Sequence, residues 1–258
     1  MSKKLITACM ALFALAAFAL PASASAATNV ELTHPTGTKL AAGVKIKGTN
    51  VGNTIFQAGI IKVECSTAVF TGVLNRNNEE FPSGSGTHRT EGTIETATFS
   101  GTGTGTPGDC TPNSFPGPYK VTTNVGNGVP FCLFTHDTFN ADEVKLKGNS
   151  CSSPTERNIT FVLHATSLGK ECKYIRHLTT ETRESGTGTG PGPIIGSYDT
   201  DTPANNNSDA IITLKNSGEN TTFEGEKTND FSCPGNGFLE MSVTLETDEA
   251  TAKPLYFS

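Results

Sequence analysis

The clearest pattern in the chain is a strict alternation of apolar and polar residues near its C-terminal end. Leu239, Met241, Val243 and Leu245 alternate with polar residues at positions 240, 242, 244 and 246. Successive side chains of a β-strand point to opposite faces, so this period of two places the apolar residues on one face. The pattern predicts a strand with one buried and one solvated face.

Shorter runs of β-branched and aromatic residues recur along the chain, separated by clusters of Gly, Asn and Pro. Such runs fit the pleated surface of a sheet, whereas the clusters favour turns. Ala68–Leu74 and Ile159–Leu163 are apolar at successive positions, which is typical of strands buried on both sides. The full set of further predicted strands is Ile55–Cys65, Ala68–Leu74, Thr93–Phe99, Lys120–Val125, Ile159–Ala165, Cys172–Thr182, Ala210–Leu214, Thr221–Glu224 and Leu255–Phe257.

This number of short strands in one chain predicts an all-β fold. The expected architecture is an antiparallel β-sandwich or jelly roll with very little helix. Residues 27–258 are expected to form one body, because no long linker divides them.

Two landmarks indicate that this body contains two related halves, residues 27–135 and 136–258. Val44–Gly48 (VKIKG) returns as Val144–Gly148 (VKLKG), and the string SGTGTG occurs at Ser100–Gly105 and at Ser185–Gly190. In each copy one cysteine precedes the string and another follows it. Gly/Thr strings also recur by chance in a chain with 27 glycines, and the spacing differs between the copies, so the duplication is a hypothesis.

Residues 1–26 have the three parts of an export signal. Lys3 and Lys4 are followed by the apolar run Leu5–Leu20 and by Ala24–Ala26, whose small side chains suit a signal peptidase. A membrane anchor is the alternative, but the run is shorter than the roughly 20 residues that cross a bilayer. A lipidation site at Cys9 is a second alternative, although the apolar run follows that cysteine instead of preceding it. We expect a secreted protein that begins at residue 27.

The charge of the expected mature chain limits its partners. It keeps all 25 acidic residues and 17 of the 19 basic ones, a formal charge of −8. Such a surface repels nucleic-acid phosphates and anionic lipid head groups, so neither is an expected partner. No later stretch is apolar enough to predict a transmembrane segment. Partners of other kinds, such as a cell-envelope or extracellular glycan or a protein, stay open.

Six cysteines follow the leader, and an even number in an exported chain predicts three disulfides. Six thiols allow 15 pairings. If the two halves are equivalent, the pairs are Cys65 with Cys110 and Cys172 with Cys233, which leaves Cys132 with Cys151. Zinc binding is the alternative, but zinc ribbons need closely spaced cysteine pairs and this chain has none.

One stretch, Asp199–Asp209, is dense in oxygen ligands. Calcium prefers six to eight hard oxygens, and side chains alternating on a turn can supply several of them. The candidate ligands are Asp199, Asp201, Asn205, Asn207 and Asp209. The stretch departs from the EF-hand pattern at Ala204 and Ala210, so a solvated loop is the favoured alternative. Calcium is the one cofactor that the sequence suggests.

No catalytic motif stands out. The five histidines, His34, His88, His136, His164 and His177, lack metalloprotease spacing, and the chain has no Gly-x-Ser-x-Gly element. We therefore expect structural or surface histidines unless one meets a carboxylate in space. Carboxylates gathered from distant strands could still form a glycosidase pair.

Several short motifs resemble exported proteins of unknown function from high-GC Gram-positive bacteria. These are the runs Val63–Gly72, Ala97–Gly101, Val129–Cys132, Cys172–Tyr174 and Phe231–Pro234. They consist of cysteines, aromatic residues and turns. The resemblance implies an extracellular β-rich fold and provides no catalytic or binding residues.

Two functions are compatible with these observations. The first is a non-enzymatic, secreted binding or structural module at the cell surface or in the medium. The second is a secreted hydrolase or lyase acting on polysaccharide. A histidine in contact with a carboxylate, or two carboxylates within about 10 Å in a cleft, would favour the enzyme.

Overall fold

The structure is a computed structural model, and the description covers residues 31–33, 37–101, 110–112, 119–123, 130–136, 143–153, 158–165, 168–176, 194–198 (backbone), 210–215, 222–226, 233–251 and 253–257. These residues contain no helix, and so none that could cross a membrane. They form 17 strands: β1 (Leu32–Thr33), β2 (Lys45–Asn50), β3 (Thr54–Ala58), β4 (Ile61–Cys65), β5 (Thr67–Glu80), β6 (His88–Ser100), β7 (Thr111–Pro112), β8 (Tyr119–Thr123), β9 (Phe131–His136), β10 (Glu143–Gly148), β11 (Ile159–Ala165), β12 (Lys170–Arg176), β13 (Ile194–Tyr198), β14 (Ile211–Leu214), β15 (Thr222–Gly225), β16 (Asn236–Thr247) and β17 (Tyr256–Phe257).

Eight of these strands pair antiparallel in a closed circuit that we call ring A. The order is β2, β5, β6, β9, β10, β13, β14 and β16, and β16 pairs again with β2. Neighbours follow chain order, as in an up-and-down barrel. The pairing of β14 with β16 through Ile211–Leu214 closes the circuit.

A second circuit, ring B, shares β16 with ring A. Its order is β3, β4, β7, β8, β11, β12, β15 and β16, and β16 pairs again with β3. The junction of β7 and β8 is a bridge between Cys110 and Tyr119, with reciprocal backbone hydrogen bonds of 2.7 and 3.1 Å. Asn236–Glu240 of the shared strand pair in ring B, and Met241–Thr247 pair in ring A.

The prediction of an all-β, antiparallel, sandwich-like fold with very little helix is confirmed. Among the described strands, the structure does not show the jelly-roll variant. The predicted alternation in β16 is also seen, since Leu239 and Val243 are buried and Glu240 and Ser242 are half-buried. Val69 and Val162, expected to be buried on the second face of their strands, are only half-buried, because each ring has its packed interior on one side.

Each proposed half contributes strands to both rings. Each ring takes four strands from before residue 137 and four from after it, β16 counting in both rings. The repeated VKIKG and VKLKG sequences lie at β2 and β10, which occupy the first and fifth places in ring A. In ring B, Cys65 ends β4 and Cys172 lies in β12, the second and sixth places. The landmarks of each pair are thus half a circuit apart, and the duplication stays a hypothesis.

Three disulfides link Cys65 to Cys110, Cys132 to Cys151 and Cys172 to Cys233, with Cα–Cα distances of 4.6, 4.8 and 5.6 Å. These are the pairs that the two-half interpretation predicts. Disulfides persist in oxidising compartments, so their presence indicates an oxidising environment such as the exterior of the cell.

Aromatic side chains fill the space where the interiors of the two rings meet. Phe161 lies 5.1 Å from Phe56 and 4.8 Å from Phe223, and Phe99 lies 5.3 Å from Phe56 and 5.7 Å from Phe70, measured between ring centroids. Tilted and edge-to-face pairs of this kind add to the burial energy of the rings. The core of ring B is thus continuous with the interior of ring A.

Tyr174 gives the ring B core a pH-dependent stability. It is 3% exposed, its hydroxyl has no hydrogen-bond partner within the described structure, and burial together with nearby Tyr119 raises its pKa to about 12. Below pH ~10 the tyrosine is neutral in both the folded and the unfolded chain. Between pH ~10 and ~12 it ionises only in the unfolded chain. The free energy of unfolding therefore falls by up to about 1.4 kcal/mol per pH unit in this range.

We expect Tyr174→Phe to remove most of this alkaline loss and to raise the free energy of unfolding at pH 7 by about 1 kcal/mol, because an unpaired buried hydroxyl is lost. Urea denaturation from pH 7 to 12 measures both effects. Tyr256→Phe, at a half-buried position, is the matched control and should change little. A lower stability of Tyr174→Phe at pH 7 would contradict the prediction.

Candidate functional site

Ring A encloses an apolar cavity of about 110 Å³. Its wall includes Ile46 of β2, Phe70 of β5, Leu133 of β9, Leu146 of β10 and Met241 of β16. These residues come from around the circuit, because the inward positions of each strand alternate with outward ones. Eight-stranded barrels of this size are wide enough either to be filled by side chains or to hold one small ligand.

Glycines occupy inward positions on β2 and β6, on either side of β5 in ring A, and one of them contributes space to the cavity. A Cβ atom on Gly48 would lie 2.7 Å from Cγ1 of Val243, so that glycine admits a neighbouring side chain. A Cβ on Gly92 would meet only ordinary contacts, 3.4 Å from the carbonyl oxygen of Val73 and 3.9 Å from Cδ1 of Ile46. Gly92 therefore leaves usable space against the wall.

Apolar side chains of the described residues cover part of each end of the cavity. At the ring B end lie Phe99 and Phe161 of the aromatic cluster, both in the cavity wall. At the opposite end a second apolar cluster contains Leu32, Leu40, Leu74 and Leu255, which are 0–3% exposed. The cavity can therefore keep water from a bound apolar molecule, which is where most of the binding energy of such a ligand originates.

A buried charged cluster lies on the outer face of ring A. Glu91 is an ion-pair partner of Arg76, and its other oxygen lies 3.6 Å from Nη1 of Arg89. The Arg76 guanidinium stacks 3.9 Å from the ring centre of Phe81, and that of Arg89 lies 5.5 Å from the ring centre of Phe134. Glu91 and Arg89 side chains are 1% and 4% exposed, so the cluster stabilises this wall and is closed to a ligand.

Glu91 also lies within 4.8 Å of the sulfurs of Cys132 and Cys151, the one metal-like grouping among the described residues. The two sulfurs are bonded to each other. A disulfide has no thiolate to offer a metal, so this group is not a metal site.

His164 contacts a carboxylate on the neighbouring strand. Nδ1 of His164 lies 2.7 Å from Oε1 of Glu171, and Nε2 of His164 lies 2.9 Å from Oγ1 of Thr122. The order of hydroxyl, imidazole and carboxylate is that of an activated nucleophile. All three project from the outer wall of ring B on β8, β11 and β12, where the Glu171 side chain is 65% exposed.

Several of the other residues singled out from the sequence lie outside the described structure. The calcium candidates Asp199, Asp201, Asn205, Asn207 and Asp209 fall outside the described residues, so calcium binding stays a prediction. His34 and His177 do too. The sequence patterns do not predict the cavity, and the glycine at position 92 is a local signal for it.

No protein-family model matches the chain, and comparisons with curated proteins and with solved structures find no match. The molecule is a disulfide-stabilised antiparallel β module with an apolar cavity.

Proposed function

We propose that the protein is a secreted, non-enzymatic binding module that holds a small apolar molecule, or the apolar end of a larger one, inside ring A. The observation that carries this proposal is the cavity of about 110 Å³, walled by aliphatic and aromatic side chains. An extracellular location is supported by the leader expected at residues 1–26 and by the three disulfides. The same proposal includes retention of the secreted protein at the cell surface.

The chemistry of the wall restricts the ligand. Apolar cavities of roughly 150 Å³ in proteins stay dry and accept molecules the size of benzene. A charged group would lose its hydration inside this wall without finding a partner. We therefore expect an uncharged aromatic ring or a short alkyl segment, bound through the area that it removes from water.

Binding of butylbenzene is the direct test. We expect a Kd on the order of 10⁻³ to 10⁻⁴ M, because a cavity of about 110 Å³ can bury about six carbon atoms of this molecule at the efficiency of small apolar ligands. Titration followed by ¹H–¹⁵N NMR should shift amide signals of β5, β6, β9 and β16. 4-Butylbenzoate, which adds a carboxylate, should bind at least tenfold more weakly. Equal binding of both compounds, or of neither, would reject the proposal.

Gly92→Val is expected to block the cavity. The new side chain has room at Cβ and occupies space that the ligand needs, and valine suits a strand better than glycine. Butylbenzene affinity should fall at least tenfold while the melting temperature stays equal or rises. Gly235→Val, at a position with no neighbour within 4 Å of an added Cβ, is the matched control. Unchanged affinity in Gly92→Val would argue against binding inside ring A.

A hydrolase or lyase acting on polysaccharide is the second candidate, favoured by the contact between His164 and Glu171. Glu171 would orient the imidazole, which would act as a base toward a hydroxyl. Within the described residues, this position on a strand wall provides neither a cleft nor a way to exclude water. If a panel of polysaccharides is cleaved, His164→Gln should abolish cleavage and His88→Gln should not. Cleavage that survives His164→Gln would reject this site.

A further inference from the structure

The interior of ring B contains a second, much smaller void beside the aromatic cluster. Its volume is about 10 Å³, the space of about one water molecule, against about 110 Å³ for the ring A cavity. Its wall includes Phe56 of β3, Leu163 of β11, Tyr174 of β12 and Phe223 of β15. The two rings therefore contain two separate spaces, one in each interior.

Phe161 is the one described residue that lines both spaces. It is 4% exposed. The centroid of its ring lies 6.4 Å from that of Phe99, in the wall of the ring A cavity, and 4.8 Å from that of Phe223, in the wall of the ring B void. The aromatic ring of Phe161 thus lies between the two spaces, and we call this side chain the partition.

The backbone around the partition is held on both sides. β11 pairs with β8 and with β12, and Phe161 is the direct cross-strand partner of Thr123 and of Tyr174. Core strands with two neighbours are among the last parts of a protein to open. The position of this strand is therefore fixed, and the side chain at 161 determines how far the ring A cavity extends toward ring B.

The neighbours of the partition each line only one of the spaces. Phe56, whose ring centroid lies 5.1 Å from that of Phe161, lines the void, and Phe99 lines the cavity. Loss of a buried side chain leaves a cavity because the surroundings relax only partially. Shortening Phe56 or Phe99 therefore enlarges one space, whereas shortening Phe161 joins the two spaces and adds the volume of its own ring.

We propose that Phe161 determines the length of the ligand that ring A accepts, by ending the cavity on the ring B side. This inference rests on the proposed binding function, because a limit on length has a meaning only if a ligand binds. The cavity of about 110 Å³ accepts about six carbon atoms. The ligand is accordingly a molecule whose apolar end is a single ring or a short alkyl segment, and this end stops against the face of Phe161.

Contacts between protons of the ligand and of the protein locate the bound molecule without any substitution. In the nuclear Overhauser spectrum of the unaltered protein with butylbenzene, we expect cross-peaks from the ligand to the ring protons of Phe161 and Phe70. Leu163 and Phe223 lie beyond the partition and should show none. Cross-peaks to either of these two residues would overturn the inference and leave the proposed function standing.

Phe161→Ala is expected to lengthen the site. Each buried methylene group increases affinity roughly fourfold, so hexylbenzene gains over butylbenzene only where its two extra carbons find room. The ratio of the butylbenzene Kd to the hexylbenzene Kd should be at least fivefold larger in Phe161→Ala than in the unaltered protein. Leu163→Ala is the matched control, because Leu163 is on the same inward face of β11, is 2% exposed and lines only the void. Its ratio should equal that of the unaltered protein.

Phe161→Leu is the second variant, because removal of a whole buried ring is among the most destabilising changes to a core. Leucine fills part of the space, so the ratio should rise at least twofold. A folded variant, verified by its ¹H–¹⁵N spectrum, with the ratio of the unaltered protein would overturn the inference. Butylbenzene binding by the Phe161 variants alone would support the partition and reject the proposed function. Binding by neither the unaltered protein nor the variants would reject both.

Discussion

Replacing Glu91 with glutamine is expected to lower the free energy of unfolding by about 3–5 kcal/mol, because it removes the negative partner from a buried ion pair and leaves the cations behind. The Glu91 side chain is 1% exposed and interacts with Arg76, itself 28% exposed, and with Arg89, 4% exposed. Glutamine keeps the shape of the side chain, so packing should be preserved. Denaturation in guanidinium chloride at pH 7 measures the loss.

Glu246→Gln is the matched control for this effect. Glu246 pairs with Lys47 at 2.8 Å, but the two side chains are 31% and 36% exposed, and a pair in contact with water contributes at most about 1 kcal/mol. Adding Arg76→Met to Glu91→Gln should recover part of the loss, since one uncompensated cation is removed. Equal losses of unfolding free energy in Glu91→Gln and Glu246→Gln would contradict the view that burial determines how much an ion pair contributes to stability.

The strands that the sequence predicts well are those whose pattern is local. The run Ile159–Ala165 coincides with β11, and the alternation around Met241 lies within β16. Ile55–Cys65, predicted as one run, is a hairpin of β3 and β4 that turns at Gly59, whose φ of +55° favours glycine. Alternation and turn residues are properties of neighbouring positions, so they are visible without a structure.

Ring closure could not be predicted, because it depends on pairs far apart in the chain. Val243 pairs with Asn50, nearly two hundred positions away, and no local pattern specifies that register. β10 was also missed as a strand. Its lysines at 145 and 147 interrupt the apolar pattern, yet both are at least nine-tenths buried on the outer face, where Lys145 pairs with Glu143 at 3.1 Å.

The candidate site also has features that the sequence predicts and features that it does not. The cysteine pairs follow from a repeat that is visible in the sequence. The contact of His164 with Glu171 is not visible there, because the sequence does not show which histidine lies beside which carboxylate. The cavity is the part of the barrel interior that no side chain fills, and it includes the space beside Gly92. A void is a property of the assembled wall, so residue types alone do not reveal it.

Removing the disulfide between Cys65 and Cys110 is expected to lower the free energy of unfolding by about 4 kcal/mol, the chain-entropy estimate for its sequence separation of 45. Both half-cystines are fully buried, so Cys65→Ala with Cys110→Ala avoids placing hydroxyls in the core. The backbone of Cys110 also makes the bridge to Tyr119 that completes ring B. Chemical denaturation of the oxidised variant measures the loss.

The other two disulfides supply the comparison. Their sequence separations of 61 and 19 predict losses of about 4.3 kcal/mol for Cys172–Cys233 and about 3 kcal/mol for Cys132–Cys151. A Cys65/Cys110 variant within 1 kcal/mol of the parent protein would show that the strand pairing alone holds ring B closed. Because single domains are stable by only about 5–15 kcal/mol, losing all three links should unfold the chain. We therefore expect stable folding only where disulfides form, and expression in a reducing compartment should yield a protein that lacks both rings and does not bind butylbenzene.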